Sequence, residues 1–244
     1  YKDGFGPLTP GFVAIEYGSI EELKRAINPN TVAFLVEPIQ GESGVIVPPE
    51  GWLKASSEIC RKNKVLLIAD EIQSGLGRTG KLFACEHENV RPDVVIIGKA
   101  LSGGMYPVSA VVASQEILGV FKPGDHGSTY GGNPLGSAIA REALKIIIDE
   151  KLPQKSAESG AYLMQKLNEI ESPYIEQIRG KGLWVGIVLK PSAGGARHFC
   201  VALQERGILA KETHENVIRL APPLNITRSE LDQAIAILQE VLTQ

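Results

Sequence analysis

The sequence predicts an α/β fold on three observations. Short apolar runs rich in β-branched residues, at 32–36, 65–69 and 94–97, alternate with stretches whose apolar residues recur at helical spacing. The runs are apolar throughout rather than alternating, as strands covered on both faces of a parallel sheet are. Each is followed by a polar or glycine-containing segment, and in an open α/β sheet the loops beyond the carboxyl ends of the strands are where ligands bind.

Taken in order, residues 1–12 show neither period, and a chain opening on Tyr1 without a methionine looks cut from something longer. Residues 20–27 have helical spacing and end before Asn28-Pro29. The strand at 32–36 runs into a loop at 37–44 that carries two carboxylates, Glu37 and Glu42. An amphipathic helix over 50–63 and a strand over 65–69 ending in Asp70-Glu71 complete a unit expected to be right-handed βαβ. The strand at 94–97 leads into Gly98-Lys99, a further strand is expected at 108–112, and 117–121 reads as the end of a helix. A glycine-rich segment at 124–133 precedes a helix from Pro134 to about Ile148.

A domain boundary is placed near Asp149, dividing the chain into 1–148 and 149–244. Beyond it the pattern is α+β: a helix over 156–170 after a break at Pro153, strands over 174–178 and 183–189 joined at Gly180-Lys181-Gly182, a helix over 196–206, a strand over 217–220 and a closing helix from 229 to 242.

Composition excludes several classes. A net charge of −3 provides no basic field for nucleic acid, and no apolar run is long enough to span a bilayer. The three cysteines, Cys60, Cys85 and Cys200, are dispersed and lack CxxC spacing, which suits a reducing compartment. The four histidines have no ligand spacing, so no metal is expected.

Lys99 stands where a buried strand meets a glycine exit, a place from which a lysine either forms a Schiff base with a carbonyl compound or simply reaches solvent. Asp70 closes another apolar strand, either as a carboxylate serving a bound cation or protonated ring or as a turn residue. Gln73, two residues past Glu71, can face the same place. Gly75-Leu76-Gly77-Arg78-Thr79-Gly80 spells a dinucleotide-binding pattern, but five residues separate it from its strand and Pro92 limits any following helix, so a glycine-rich surface loop is expected instead. Gly127-Ser128-Thr129-Tyr130-Gly131-Gly132-Asn133-Pro134 suits phosphate, whose oxygens accept from free N–H groups and hydroxyls, though a plain N-cap and turn has the same composition. Arg219, a charge within an apolar strand, is either half of an ion pair or a substrate anchor.

A strand-end lysine, a strand-end aspartate and a Gly/Ser/Thr loop together match the needs of pyridoxal 5'-phosphate: an aldehyde trap, a partner for the ring nitrogen and an anion cradle. With Glu37-Pro38-Ile39-Gln40-Gly41-Glu42, Ile68-Ala69-Asp70-Glu71-Ile72-Gln73-Ser74-Gly75 and Gly98-Lys99-Ala100-Leu101, these segments make the chain resemble the class III, or ω-amino acid, aminotransferases. The resemblance covers nearly all of it, and the family is longer at its N-terminus. Segments 102–110, 209–214 and 217–223 are most similar to members acting on ornithine, with those acting on acetylornithine next.

The resemblance implies fold type I, with 1–148 as part of the large cofactor domain and 149–244 as the small domain. It implies that Lys99 forms the Schiff base and shuttles the proton, that Asp70 keeps the ring nitrogen protonated, that Gln73 meets the phenolic oxygen and that Ile72 packs on the ring. Ser128 and Thr129 would reach the phosphate of a neighbouring subunit, so a homodimer is implied. Glu42 and Arg219 would form a gate that lets one pocket take two substrates, an ω-amine and an oxo acid. Family members occur in the bacterial cytoplasm and the mitochondrial matrix.

Overall fold

A computed structural model of the protein describes residues 4–243, so Tyr1–Asp3 of the aperiodic opening stretch lie outside the described residues. The first layer is a four-stranded sheet of β1 (Ala33–Val36), β2 (Leu66–Asp70), β3 (Val94–Ile97) and β4 (Ala110–Ala113), in that order. β1, β2 and β3 run parallel and β4 returns antiparallel along β3. α1 (Ile20–Ala26) precedes the sheet, capped by Ser19, whose Oγ accepts from the N–H of Glu22 at 3.2 Å. α2 (Trp52–Lys62) joins β1 to β2 and buries Trp52, Leu53 and Cys60; the first two pack with Val36, Leu67 and Ala69.

The expectation of strands covered on both faces holds for Leu67, Ala69, Val94 and Ile97. It fails at Leu35, about half exposed because no layer of the described residues lies over it, and Val111 and Val112 of β4, for which only a strand was expected, are as open. α3 (Gln115–Leu118) stops short of the expected Phe121, since Gly119 follows directly. α4 (Pro134–Asp149) begins on Asn133, whose Oδ1 accepts from the Gly136 N–H at 2.8 Å, with proline at its first position.

α5 (Leu152–Asn168) starts earlier than expected and contains Pro153 within its first turn, where a missing N–H costs no helical hydrogen bond. The second sheet is antiparallel throughout, with β5 (Ile175–Gly180), β6 (Val185–Leu189), β7 (Lys211–Thr213) and β8 (Val217–Leu220) in the order β5-β6-β8-β7. α6 (Arg197–Glu205) and α7 (Arg228–Thr243) join α5 against it, around Leu163, Val185, Ile187, Leu203, Ile218 and Leu238. β7 has no counterpart in the sequence reading. Its hairpin to β8 turns through His214 and Glu215, both at positive φ (44° and 60°), instead of the Asn-Gly or Asp-Gly that marks such turns.

The segment at 75–80 is not a surface loop. Gly75, Leu76, Gly77 and Thr79 are buried. The Arg78 guanidinium donates to the carbonyls of Leu183 (2.8 Å) and Pro222 (2.6 Å), and burial lowers its pKa to about 10. Ser156 Oγ donates to Arg78 O at 2.9 Å and accepts from Leu183 N–H at 3.1 Å. Gly182 sits at φ +58°, and a Cβ there would lie 2.5 Å from the carbonyl carbon of Thr79, so only glycine lets the two backbones meet. The glycines thus serve a junction between the two sheets, which is why no dinucleotide-type strand–turn–helix forms. Among the described residues no helix is long and apolar enough to cross a membrane.

Candidate functional site

The loops following β1, β2 and β3 carry Glu42, Ile72, Gln73 and Lys99 to one end of the first sheet, beside Asp70 at the end of β2. β3 ends at Ile97; Gly98 is extended, and Lys99 turns into the left-handed region at φ +44° to open a single 3-10 turn, Lys99–Ser102. For a non-glycine residue that conformation costs on the order of 1–2 kcal/mol, and such outliers concentrate where a side chain must be aimed. Partial burial pushes the Lys99 pKa down, Arg219 adds to the shift, and Glu42, Glu37 and Asp70 oppose it. Asp70 closes β2 in register with Ile96 of β3, and its Oδ1 accepts from the Ile72 N–H at 3.0 Å, a turn bond that orients the carboxylate.

Glu37 accepts from the Gly41 N–H at 3.0 Å, which shapes the loop after β1, and burial raises its pKa. Tyr17 holds the same loop by donating to the carbonyls of Glu37 (3.1 Å) and Pro38 (2.9 Å). At its far side, Glu42 Oε1 accepts from Arg219 at 2.8 Å and from Gln73 Nε2 at 3.1 Å, and Arg219 also donates to Gln73 Oε1 at 3.3 Å. Lys211 Nζ approaches Glu42 Oε2 at 3.3 Å. The Arg219 hydrogen bond, more than any other influence, holds the Glu42 carboxyl down at about 2. Gly41 makes room for this cluster: a Cβ there would sit 2.5 Å from Gln73 Oε1.

A cleft of about 440 Å³ opens beside the cluster, bordered by Ile72, Gln73, Lys99, Trp184, Arg219 and Leu224. That is a small-molecule volume. Asp70 and Glu42 flank it without forming its wall. Ser128 and Thr129 do not border it; they lie in a wholly exposed loop where Ser128 Oγ accepts from the Gly131 N–H at 2.8 Å. A cavity of about 550 Å³ on another part of the first sheet, bordered by Phe83, Val95, Val112 and Ile117, contains none of the predicted residues.

The structure therefore gathers Glu42, Gln73, Lys99, Ile72 and Arg219 around one space, with Asp70 at the adjoining strand end. Lys211 and Trp184 were missed by sequence reasoning. Lys211 became visible only once β7 paired with β8, and the one signal for it is its place in a short segment with Arg219. Among the described residues no group of three His, Cys, Asp or Glu side chains is arranged to hold a metal.

As a donor set the site offers an amine for an aldehyde, a carboxylate at a neighbouring strand end, an amide and a guanidinium, which fits pyridoxal 5'-phosphate. The profile of the class-III aminotransferases matches residues 1–242. The chain is 57% identical over 242 residues to an ornithine aminotransferase of Exiguobacterium sp., covering 99% of this chain and 60% of that protein. It overlays an ornithine aminotransferase structure from Toxoplasma gondii, with pyridoxal phosphate at partial occupancy in its active site, at a TM-score of 0.96 and 45% identity, over 98% of this chain and 57% of that one. An acetylornithine aminotransferase from Elizabethkingia anophelis matches at a TM-score of 0.91 and 50% identity, over 96% and 63%. The chain thus spans about three-fifths of the length of such relatives.

Proposed function

The chain belongs to the class-III aminotransferases, and from that premise we propose that it is part of an ornithine aminotransferase, which transfers the δ-amino group of L-ornithine to 2-oxoglutarate, giving glutamate 5-semialdehyde and glutamate. The observation that carries this reading is the Glu42–Arg219 contact at 2.8 Å beside Lys99, together with the ornithine aminotransferases among its relatives. Pyridoxal 5'-phosphate, when bound, supplies an aldehyde that condenses with amines and a ring that draws electron density from the carbon under attack.

The chain's own residues do the rest. Lys99 Nζ is the amine that holds the cofactor and then carries a proton to and from the reacting carbon; its lowered pKa enlarges the neutral, nucleophilic fraction near pH 7. The Asp70 carboxylate keeps a proton on the ring nitrogen. Ile72 would pack on the ring face, and Gln73, which donates to Glu42, would also donate to the ring oxygen. Ser128 and Thr129, exposed on their own chain, bind the phosphate of a partner subunit, so the working unit is a homodimer. Residues 1–148 form part of the cofactor domain and 149–244 the small domain.

Glu42 and Arg219 answer the two-substrate problem. While they are paired, the site presents little net charge to the ω-amine. When Glu42 turns away, Arg219 binds the carboxylate of the oxo acid in its place. Replacing Glu42 by alanine is expected to speed the half-reaction with glutamate, measured by single-turnover spectroscopy. The bacterial relatives support a cytoplasmic location.

The test of the cofactor assignment is borohydride reduction of the full-length protein after incubation with pyridoxal phosphate, followed by peptide mass mapping. One phosphopyridoxyl adduct on Lys99 is expected, and its absence would sink the reading. Rates on ornithine and acetylornithine then decide between the two amine donors, the second being favoured by the Elizabethkingia neighbour.

A further inference from the structure

Lys211 and Arg219 are direct cross-strand partners in the β7–β8 ladder, so two cations lie side by side on neighbouring strands. Like charges in that arrangement repel. Glu42 relieves the repulsion by dividing itself between them, Oε1 to Arg219 at 2.8 Å and Oε2 to Lys211 at 3.3 Å. The two cations are held differently. The Arg219 side chain is 16% exposed and also bonded to Gln73, whereas that of Lys211 is 61% exposed on a flexible four-carbon stem. The Glu42 side chain, 54% exposed, has room to rotate between them.

Resting on the gate proposed above, we propose that Lys211 is the latch of that gate: when a substrate carboxylate takes Arg219, Lys211 keeps hold of the displaced Glu42 carboxylate. Opening then exchanges one cationic partner for another, and Glu42 is not left as an unpaired charge that returns to compete for Arg219. In the closed arrangement Lys211 is the weaker of two partners, and in the open one it is the sole cation on Glu42. Its loss therefore disfavours the open arrangement more than the closed one. Lys211 is a positioning residue, acting on the oxo-acid half-reaction through Glu42.

The experiment uses the full-length holoenzyme and single-turnover kinetics of both half-reactions, with glutamate and with ornithine. In Lys211→Gln the glutamate KM relative to the ornithine KM is expected to rise about threefold, the scale of an exposed ion pair. In a Glu42→Ala background the same substitution is expected to leave that ratio unchanged, and Lys211→Arg is expected to restore the native ratio. An equal rise in both backgrounds would make Lys211 a direct substrate contact and overturn the latch. An equal change in both half-reactions would reduce it to a structural role, and no change would remove it altogether. Failure of the gate itself reads separately, as a Glu42→Ala protein whose glutamate half-reaction is no faster than native.

Discussion

Two glycine-rich stretches of similar composition have opposite fates in this molecule. Residues 75–80 are largely buried, their backbone closed over by α5, the Gly180–Leu183 turn and the Arg78 guanidinium. Residues 127–132 are exposed throughout, and a Cβ on Gly127 or Gly132 would meet nothing within 4 Å. Glycine in the first admits the chain's own backbone. In the second only the loop's own Ser128 arrives, against Gly131, and the rest of the loop stays open to solvent. The contrast teaches that a glycine pattern reports a close approach, and only the fold says of what.

The largest expected effect falls on the buried stretch. Arg78→Ala leaves the carbonyls of Leu183 and Pro222 without their donor and empties a buried site, and urea unfolding of the full-length protein is expected to register a loss of about 2–6 kcal/mol, about 1–3 for each carbonyl left unsatisfied. Ser156→Ala removes two hydrogen bonds at the same junction and is expected to cost about 1–3 kcal/mol by the same measurement. A neutral result for either would mean that the junction is not what joins the sheets.

The exposed stretch is expected to behave the other way. Ser128→Ala should change unfolding free energy by less than about 0.5 kcal/mol. If the proposed dimer holds, the effect falls on the assembled site, where losing a hydrogen bond to a phosphate is expected to weaken cofactor binding by about tenfold in an absorbance titration of the apo-protein. Unchanged affinity would return the loop to a plain turn.

The smallest effect lies in the cluster between the two. Glu42 has its pKa depressed to about 2, so its contact with Arg219 contributes stability above the ordinary carboxyl value of 4.5 and loses it as the pH falls through about 2. With that side chain more than half exposed, the contribution to unfolding is small, and the sensitive readout is the Glu42 carboxyl carbon by NMR. Its midpoint is expected near 2 in the native protein and clearly higher in Arg219→Gln, where only Lys211 is left to lower it. A native midpoint near 4.5 would place the pair apart in solution.

Local pattern was enough to mark Lys99 and Asp70 as strand-end residues, to find β8 at its observed bounds and to mark every strand but β7 along the chain, because strand burial and helical spacing are properties of consecutive residues. Local pattern also set Arg219 apart as a charge in an apolar strand. Its partner was beyond reach of any local rule except through family resemblance, since Glu42 and Arg219 are 177 positions apart. The left-handed turn at Lys99, the His214-Glu215 hairpin that puts Lys211 against Arg219, and the burial of 75–80 depended wholly on tertiary structure. In each case the neighbouring elements impose a backbone conformation or a contact that the residue's own preference does not encode, and so the sequence alone singled out side chains suited to chemistry while the way the two sheets and their loops come together decided which of them meet.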